Sequence, residues 1–362
     1  MPRHPELVAA LAGLPGVTTA RLAKLLDGVE VDEAWARVMA GRASSDVAEA
    51  SVRAEWRAAA GDVDLEALGA RLRALGCTAT SWHDDEHPRR FVHDIDPAPV
   101  AFRLGRLPPA DLPRVAIVGT RRASGIGREI ARELGMGLAE AGVIVVSGLA
   151  LGVDGAAHHG ALLAADGAPP AAVVGSGVDV PYPAAHRSLW ADVATAGCLL
   201  AEAPLGARPD AWRFPARNRL IVALSDLVVV VESRAAGGSL LTVEEAIRRG
   251  VDVMAVPGSL RNGAAVGTNQ LLADGCAPVR DVDDVTTALG LDTSRTGGGA
   301  SSSVDPGDAA GAEVLEAVDD GPTSLDEIVE RTGWSVGEVS AELSRLELRG
   351  LVVADGVRVR RA

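Results

Sequence analysis

The sequence predicts an α/β protein with a doubly wound, mostly parallel β-sheet, a helical N-terminal domain and a C-terminal winged-helix domain. Three observations support this prediction. From residue 114 onward, short apolar strands alternate with helical stretches through Gly-rich turns. Residues 227–231 form a uniformly apolar run, as expected for a parallel strand covered on both faces. Residues 5–75 instead carry apolar side chains at three-to-four spacing, which is typical of helices.

Residues 1–75 are predicted to form a helical domain of the helix-hairpin-helix or SAM-like type. Two helices are joined by a tight Pro15-Gly16 turn. Further helices are predicted at residues 31–39, 46–59 and 64–75. The turn amides of such a unit can contact a DNA backbone, but only Arg21 and Lys24 lie nearby. A packing or partner-binding module is therefore the favoured interpretation.

Residues 76–290 are predicted to form the doubly wound core. Its first part, residues 77–109, is rich in Pro, His and Asp and forms a lead-in segment with one strand at 100–104. Later strands are predicted at residues 115–118, 143–146, 171–174, 198–200, 227–231 and 253–256. Helical stretches between them predict βαβ units and therefore a parallel sheet.

Residues 291–311 are predicted to be a flexible linker, because their Ser, Gly, Thr and Asp content is too polar to bury. Residues 312–362 then show three helical stretches and two short strands around Gly356, which is typical of a winged helix. The segment 335–349 holds three Glu against two Arg, whereas a duplex-reading helix is normally basic. A protein-contact role is therefore favoured for this domain.

Composition indicates a protein of the cytoplasm. The cysteines Cys77, Cys198 and Cys276 are scattered, which predicts neither disulfides nor a zinc site. The apolar run near residue 10 is too short for a membrane span and lacks a cleavage pattern. Neither a cofactor nor a metal is expected, since His158 and His159 have no evident partner ligands.

The charge distribution argues against a protein that coats nucleic acid by bulk electrostatics. The chain of 362 residues has a formal net charge of −14. Between residues 113 and 290, however, 15 Arg face 18 acidic residues, whereas residues 306–362 hold 6 Arg and 12 acids. The acidic excess lies outside the core, so a local basic groove in the core remains compatible with the composition.

The turn Gly119-Thr120-Arg121 follows the first core strand and opens a helix. Free amides at a helix N-terminus favour phosphate, and Arg121 adds a bidentate donor. The turn is not a Walker A loop, because the sole lysine, Lys24, is far away. It also lacks the dinucleotide fingerprint and its acidic partner residue. Phosphate or nucleic acid is therefore the expected ligand class.

Three further segments of the core suggest anion-binding turns. Ser147 and Gly148 end the second strand, and Asp154 is expected to cap the helix that follows. Residues 214–219 precede the apolar stretch 220–224, which places Arg217, Asn218 and Arg219 at a predicted helix start. Residues 237–242 form a Gly-Gly-Ser turn that opens another helix.

Seven ordered motifs together resemble the DprA/Smf family. They are GTR from Gly119, SGLALGVDGAAHHGAL from Ser147, VGSGVD from Val174 with Pro181-Tyr182-Pro183, FPARNR from Phe214, GGSLLT from Gly237, AVPG from Ala255 and GTNQLLADG from Gly267. The resemblance implies an extended Rossmann-type core that binds single-stranded DNA, loads the RecA recombinase onto it and protects incoming DNA during transformation. It also implies a homodimer through the core and no enzymatic activity.

Carried over onto this sequence, the DNA-binding residues of the family are Gly119, Thr120, Arg121, Ser147, Gly148, Phe214, Arg217, Asn218, Arg219, Gly238 and Ser239. Three positions depart from the family pattern, which bears on affinity more than on fold. Leu151 stands where many members have a basic residue, His186 where Asn is frequent, and Gly237 where Ser is frequent.

The competing function class is an enzyme, a phosphoribohydrolase acting on nucleotide 5'-monophosphates. Such chemistry needs a carboxylate, and Glu232 or Glu244 would supply it. The Arg-Asn-Arg segment at 217–219 favours the DNA-binding protein, because a mononucleotide site does not need this extra cluster. A structural alternative also exists for Arg121, which could pair with Glu232 inside the core.

Overall fold

A computed structural model describes residues 4–291, 309–318, 323–348, 352–355 and 358–361. The chain divides into two compact units, residues 1–293 and 294–362. Of the predicted linker at 291–311, residues 292–308 lie outside the described residues, whereas residues 309–311 are wrong as linker because they begin a helix. The α/β fold class is confirmed in the first unit, and the predicted order of helices and a terminal strand pair is present in the second.

The N-terminal part of the first unit is helical, as predicted. Its helices are α1 (Pro5–Ala12), α2 (Thr19–Leu26), α3 (Val31–Met39), α4 (Ala50–Gly61) and α5 (Leu65–Leu75). Thr18 is the N-cap residue of α2, and its hydroxyl accepts a hydrogen bond from the Arg21 amide. The hairpin turn ends at this cap. The turn itself is held by Trp56, whose fully buried indole donates to the Pro15 carbonyl at 2.8 Å. These helices share one hydrophobic cluster with the edge of the core sheet.

Residues 78–278 contribute nine strands to a single sheet. They are β1 (Thr78–Ser81), β2 (Val100–Gly105), β3 (Arg114–Val118), β4 (Ile144–Ser147), β5 (Ala171–Val173), β6 (Cys198–Ala201), β7 (Leu227–Val230), β8 (Asp252–Ala255) and β9 (Ala277–Pro278). Their order across the sheet is β1-β2-β6-β5-β4-β3-β7-β8-β9. The pairs from β6 to β9 are parallel, and β1 and β2 add an antiparallel edge.

The sequence did not predict β1 or β9. Both are edge strands. The β9 strand has only two residues with exposed side chains, and β1 is mostly buried but carries Thr and Ser, so neither shows the apolar pattern of a buried strand. The helices of the core are α6 (Arg89–Val92), α7 (Gly125–Glu140), α8 (Val153–Leu163), α9 (Arg187–Ala196), α10 (Arg213–Ala223), α11 (Gly238–Arg249), α12 (Val266–Ala273) and α13 (Val282–Ala288).

The central strands are apolar at every position because both faces of the sheet are covered. In β3, Val115 and Ile117 pack into a cluster with α7 and α8 on one face. Ala116 and Val118 alternate with them and pack with α10 and α11 on the other face. This arrangement confirms the prediction drawn from the run at 227–231, which forms β7 beside β3.

The second unit contains α14 (Ala309–Ala317), β10 (Thr323–Ser324), α15 (Leu325–Thr332), α16 (Val336–Leu348), β11 (Val352–Asp355) and β12 (Arg358–Arg361). The strands form a small antiparallel sheet in the order β10-β12-β11. The α15 helix begins with a capping box, in which Ser324 and Glu327 bind each other's backbone amides. The buried core of the second unit includes Val314, Ile328 and Leu346.

Candidate nucleic-acid interface

The strand order of the sheet changes direction at β3. From β3 the chain continues through β4, β5 and β6 on one side, and later through β7, β8 and β9 on the other. In open α/β sheets, ligands bind beyond the strand C-termini at this switch point. The turn Gly119-Thr120-Arg121 follows β3 directly, so the first predicted binding turn lies at the mouth of this crevice.

Gly119 is required where the turn passes between two packed segments. A Cβ atom at this position would lie 2.5 Å from Cγ2 of Val153 and 2.8 Å from the Glu232 carbonyl oxygen. The Thr120 amide donates to that same carbonyl at 2.7 Å. The turn after β3 is thereby bound to the end of β7, and its path leads Arg121 out to the surface.

Glu232 occupies the amino end of α7, where the sequence predicted a phosphate. Its buried carboxylate accepts from the Ser124 amide at 2.8 Å, the Ser124 hydroxyl at 2.6 Å and the Asn262 side chain at 2.9 Å. A Cβ atom on Gly127 would overlap this carboxylate. The expectation of a free phosphate cradle at α7 is therefore wrong. The alternative pairing of Arg121 with Glu232 is also wrong, because Glu232 binds other donors.

Arg121, Phe214 and Tyr182 form a surface group that we call the aromatic cluster. The Arg121 guanidinium carbon lies 4.8 Å from the centroid of the Phe214 ring. The Tyr182 ring lies 5.4 Å from Phe214 at an interplanar angle of 38°. Phe214 packs on Gly175, where a Cβ atom would approach the ring to 3.2 Å. Three separate segments thus present one cation and two aromatic rings together.

The guanidinium of Arg121 is available to a ligand. Arg121 is exposed, and within the described residues it forms no salt bridge. The guanidinium lies over the Phe214 ring in a cation–π contact. Its N–H groups can bind a phosphate bidentately, while the rings can stack on unpaired bases.

Residues 214–219 lie inside α10, which begins at Arg213. The prediction that Arg217 and Arg219 lie at a helix start is therefore wrong. Pro215 suggested a boundary, but proline is tolerated in the first turn of a helix, because its missing N–H would be unpaired there. Phe214 lies in that first turn, whereas Arg217 and Arg219 lie deeper in the helix.

Arg217 is buried beneath the aromatic cluster. Its guanidinium donates to the carbonyls of Gly148, at 2.9 Å, and Val173. A Cβ atom on Gly148 would overlap that guanidinium, so glycine is needed there. Burial lowers the pKa of Arg217 to about 10, and the neighbouring Asp154 opposes this shift. Arg217 therefore connects the ends of β4 and β5 from below through its Nη1 atom.

Asp154 lies within the first turn of α8 and does not cap it. The N-cap residue is Gly152, at φ 81°, and no side chain caps this end. The Asp154 carboxylate is buried, which raises its pKa, while Arg217 counteracts the shift. The prediction of a cap is therefore wrong, because Asp154 instead supplies the counter-charge for a buried arginine.

Arg219 is partly buried and paired. Its guanidinium contacts Glu202 at 2.5 Å and donates to the Asp96 carbonyl at 2.6 Å. Burial raises the pKa of Glu202, and the charge of Arg219 opposes that shift. Arg219 therefore joins α10 to the end of β6 and to the lead-in segment. Asn218 lies beside it and is half-buried.

The remaining predicted residues lie near the crevice but differ in accessibility. Ser147 is fully buried, and its hydroxyl donates to the Ile117 carbonyl at 2.6 Å. Ser239 is also buried and donates to the Ser233 hydroxyl at 2.9 Å. Gly238 begins α11, and a Cβ atom there would meet nothing within 4 Å. Of these three residues, Gly238 alone leaves open space for a ligand.

Sequence reasoning missed two aromatic residues. Tyr182, the single tyrosine of the chain, lies between Pro181 and Pro183, and this motif alone does not indicate a role for the ring. Trp212 is 63% exposed, and the Arg213 guanidinium carbon lies 4.5 Å from its ring centroid. An exposed aromatic next to arginine is a detectable signal, yet the position of Trp212 directly before α10 depends on the helix boundary, which the sequence misplaced.

Comparison with known proteins identifies the family of the core and of the C-terminal domain. The family described as DNA recombination-mediator protein A matches residues 78–290, which hold all the predicted site residues. The DprA winged helix domain matches residues 299–356. The chain belongs to the DNA recombination-mediator protein A family. The predicted resemblance to DprA/Smf proteins and the predicted winged helix are thus confirmed.

Several relatives extend this match over most of the chain. A putative DNA processing protein DprA from Mycobacterium tuberculosis is 36% identical, covering 92% of this chain and 88% of that protein. Protein Smf from Synechocystis is 35% identical, covering 77% of this chain and 78% of its own length. DNA processing protein DprA from Streptococcus pneumoniae is 38% identical over 56% of this chain and 71% of that protein.

Two solved structures of DprA proteins share the fold. The X-ray structure of DprA from Streptococcus pneumoniae matches with a TM-score of 0.64 and 31% identity, covering 79% of this chain and 98% of that one. DprA from Helicobacter pylori, studied for its single-stranded DNA binding mode, matches with a TM-score of 0.52 and 27% identity, covering 59% and 95%. Within the described residues of this DprA-family chain, no helix could cross a membrane and no cluster of potential ligands could hold a metal ion.

Proposed function

We propose that this DprA-family protein binds single-stranded DNA at the aromatic cluster, beside the switch point of the sheet. The observation that carries the proposal is the position of the exposed Arg121 guanidinium, 4.8 Å above the Phe214 ring. Arg121 binds a backbone phosphate, and Phe214 and Tyr182 stack on adjacent bases. Trp212 provides a further stacking surface at the start of α10.

The other predicted residues take two supporting roles in this proposal. Gly119 and Thr120 fix the turn that carries Arg121, and Gly238 leaves the opposite rim open. Ser147, Gly148, Arg217 and Ser239 hold the strand ends beneath the cluster, with Asn218 and Arg219 beside them. Phosphate recognition is thus concentrated in Arg121, and the buried residues determine where Arg121 and Phe214 lie.

A single strand fits this site better than a duplex. Aromatic rings can stack only on bases that are free of their neighbours, and such stacking tolerates any sequence. The C-terminal domain carries 6 Arg and 12 acidic residues from residue 306 onward, a net charge of −6 that disfavours duplex reading. Little sequence preference is expected, because the site offers charge and ring faces.

An enzymatic role as a phosphoribohydrolase is disfavoured by the two candidate carboxylates. Glu232 is buried and accepts three hydrogen bonds from Ser124 and Asn262, so its carboxylate already serves to hold the start of α7 in place. Glu244 is exposed on α11, where no hydrogen bond within the described residues orients its carboxylate. The relatives named DNA processing protein support a binding role instead.

We further propose that the bound strand is protected and handed to the RecA recombinase, that the protein acts as a homodimer through its core, and that it works in the cytoplasm. The family description as a recombination mediator supports the transfer to RecA. RecA filament assembly on single strands, followed with and without this protein, tests that step, and sedimentation of the purified protein tests the dimer.

Titration of labelled oligo-dT, a duplex of equal length and AMP tests the binding function. We expect oligo-dT to bind more tightly than the duplex and AMP to bind weakly, since a mononucleotide occupies one phosphate position. The logarithm of the affinity should fall with log salt by about 0.7 per phosphate contacted. Equal affinity for duplex and single strand, or tighter binding of AMP than of oligo-dT, would overturn the proposal.

A further inference from the structure

A second basic site adjoins the aromatic cluster on the far side of Arg121. It is an open cavity of about 490 Å³ between α7, α8 and the segment before α9, which we call the basic pocket. Its lining includes the side chains of Arg121, Arg128, Arg132, His159, His186 and Glu129. We propose that the basic pocket binds a second backbone phosphate of the DNA strand whose first phosphate is bound by Arg121. The inference rests on the proposed function.

Close packing of two helices creates this pocket. A Cβ atom on Gly160 of α8 would overlap the Arg132 carbonyl of α7, and one on Gly135 would overlap the Ala157 carbonyl. Only glycine permits so close an approach of two backbones. Arg132 of α7 is consequently brought beside His159, the neighbour of Gly160 on α8.

The arginines of the pocket are arranged at a cost to helix stability. Arg128 and Arg132 are four residues apart on α7 and therefore on one face. Both are exposed, and neither forms a salt bridge within the described residues. Like charges at this spacing destabilise a helix by about 0.2–0.5 kcal/mol. An anion in the pocket would remove this repulsion, because it would attract both guanidinium groups.

Two histidines close the opposite wall. The His186 ring lies 6.4 Å from that of His159, in an edge-to-face arrangement. Since a carbonyl only accepts, the Nδ1 atom of His186 donates to the Leu149 oxygen at 3.0 Å. The ring packs against Gly155, where any Cβ atom would overlap it. The other ring nitrogen, Nε2, does not take part in this hydrogen bond, and in an imidazolium ring it would donate to a phosphate.

Charge in the pocket is positive although the chain is acidic overall. Three arginines face one carboxylate, Glu129, whereas the chain has a net charge of −14. Desolvation and the neighbouring His186 lower the pKa of His159, and Asp192 of α9 opposes this shift. A phosphate would act in the same direction as Asp192 and favour the protonated imidazole of His159, so strand binding at this pocket strengthens as pH falls.

Arg121 lines the pocket and also stacks on Phe214. A strand whose bases stack on the aromatic cluster can therefore place its next phosphate in the pocket without a gap between the two sites. The basic pocket thus sets the direction in which the strand leaves the aromatic cluster, over α7 and α8.

Oligo-dT affinity and its salt dependence test the inference. The probes are oligo-dT of about 4 and about 16 nucleotides. The variants are Arg132→Ala and the double variant Arg132→Ala/His159→Ala. The matched control is Arg57→Ala, which removes an exposed arginine of α4. We expect Arg132→Ala to weaken the longer strand about tenfold and to reduce the log–log salt slope by about 0.7, with no change for Arg57→Ala.

A pH series separates the histidines from the arginines. Between about pH 8 and 5.5, we expect the affinity of the unmodified protein for the longer strand to rise several-fold. His159→Gln should reduce this rise at an unchanged melting temperature. Unchanged affinity and salt slope in the double variant would overturn the inference while leaving the proposed function intact. Failure of the unmodified protein to bind oligo-dT would instead overturn the proposed function.

Competition with AMP distinguishes a phosphate of the DNA strand from the phosphate of a free nucleotide as the group bound in the pocket. If the pocket takes a strand phosphate, millimolar AMP should displace little oligo-dT, and the Arg132→Ala variant should bind AMP as the unmodified protein does. If AMP binding is instead tight and lost in Arg132→Ala, the pocket is a free-nucleotide site and the inference is wrong.

Discussion

Arg121 and Arg217 belong to the same predicted set of DNA-binding residues, but the structure gives them opposite roles. Arg121 is exposed and contacts the Phe214 ring, whereas Arg217 is buried between two carbonyls and near Asp154. Substituting each therefore separates binding from stability. Arg121→Ala and Arg121→Lys test the first role, and Arg217→Met tests the second.

For Arg121→Ala, the magnitude follows from two contacts. The loss of an exposed cation–π contact costs the fold about 0.5–1 kcal/mol at most. The loss of a charged hydrogen bond to phosphate costs about 1.5–3 kcal/mol of binding, or about 10- to 150-fold in affinity. Arg121→Lys should recover part of this, because an ammonium keeps the charge but loses the bidentate geometry.

For Arg217→Met, the fold should suffer first. Removing Arg217 leaves the buried Gly148 and Val173 carbonyls without their donor and removes the charge that opposes the raised pKa of Asp154, which together should cost about 3 kcal/mol or more. Protonation of Asp154, whose pKa burial already raises, reduces this cost. At about 2–4 °C per kcal/mol, the melting temperature should fall by about 6 °C or more.

Thermal unfolding and oligo-dT anisotropy on the same preparations measure both effects. We expect Arg121→Ala to lose affinity at a nearly unchanged melting temperature, and Arg217→Met to lose stability. A large drop in melting temperature with near-normal affinity for Arg121→Ala would refute the phosphate role of Arg121. Normal stability of Arg217→Met would refute the buried-charge account.

Three further predictions concern other parts of the chain. Gly160→Ala should destabilise the protein by about 2 kcal/mol or more, since its Cβ would overlap the Arg132 carbonyl. The control Gly61→Ala should not, because a Cβ atom at Gly61 would meet nothing within 4 Å. Urea unfolding compares the two variants, and equal midpoints would contradict the close helix packing. Burial lowers the pKa of His158 to about 3 from an unfolded value near 6.5. The unfolded chain therefore binds a proton more readily than the folded protein below pH 6.5, so the free energy of unfolding is not reduced above pH 6.5 and falls by about 1.4 kcal/mol per pH unit below that value. His158→Gln should flatten the pH dependence of unfolding, and an unchanged pH profile would count against this. Removing residues 293–362 should leave oligo-dT affinity largely intact because that segment is acidic, and a loss of tenfold or more, about 1.4 kcal/mol, would show that it reaches DNA.

Local sequence patterns predicted most of the fold correctly. The apolar strands of the core appeared within one or two residues of their observed bounds, because side chains buried on both faces must be apolar at each position. The helical spacing of residues 5–75 was also confirmed, although the helix predicted at 46–59 lies at Ala50–Gly61. The edge strands β1 and β9 escaped prediction, since an edge strand is selected by hydrogen bonding to its neighbour and needs no apolar pattern.

The binding site was predicted as a set of residues but not as an arrangement. Sequence alone determined that Gly-rich turns, one of them carrying Arg121, and an FPARNR segment follow the strands of a parallel sheet. Only the tertiary structure decided that Glu232 fills the amino end of α7, that Arg217 points inward and that Tyr182 joins Phe214. The physical reason is that hydrogen bonding and burial of a charged side chain depend on partners far away in the chain. Arg121 and Arg217 carry the same charge. Arg217 is buried because Asp154 and two backbone carbonyls lie beside it, whereas Arg121 is exposed at the surface.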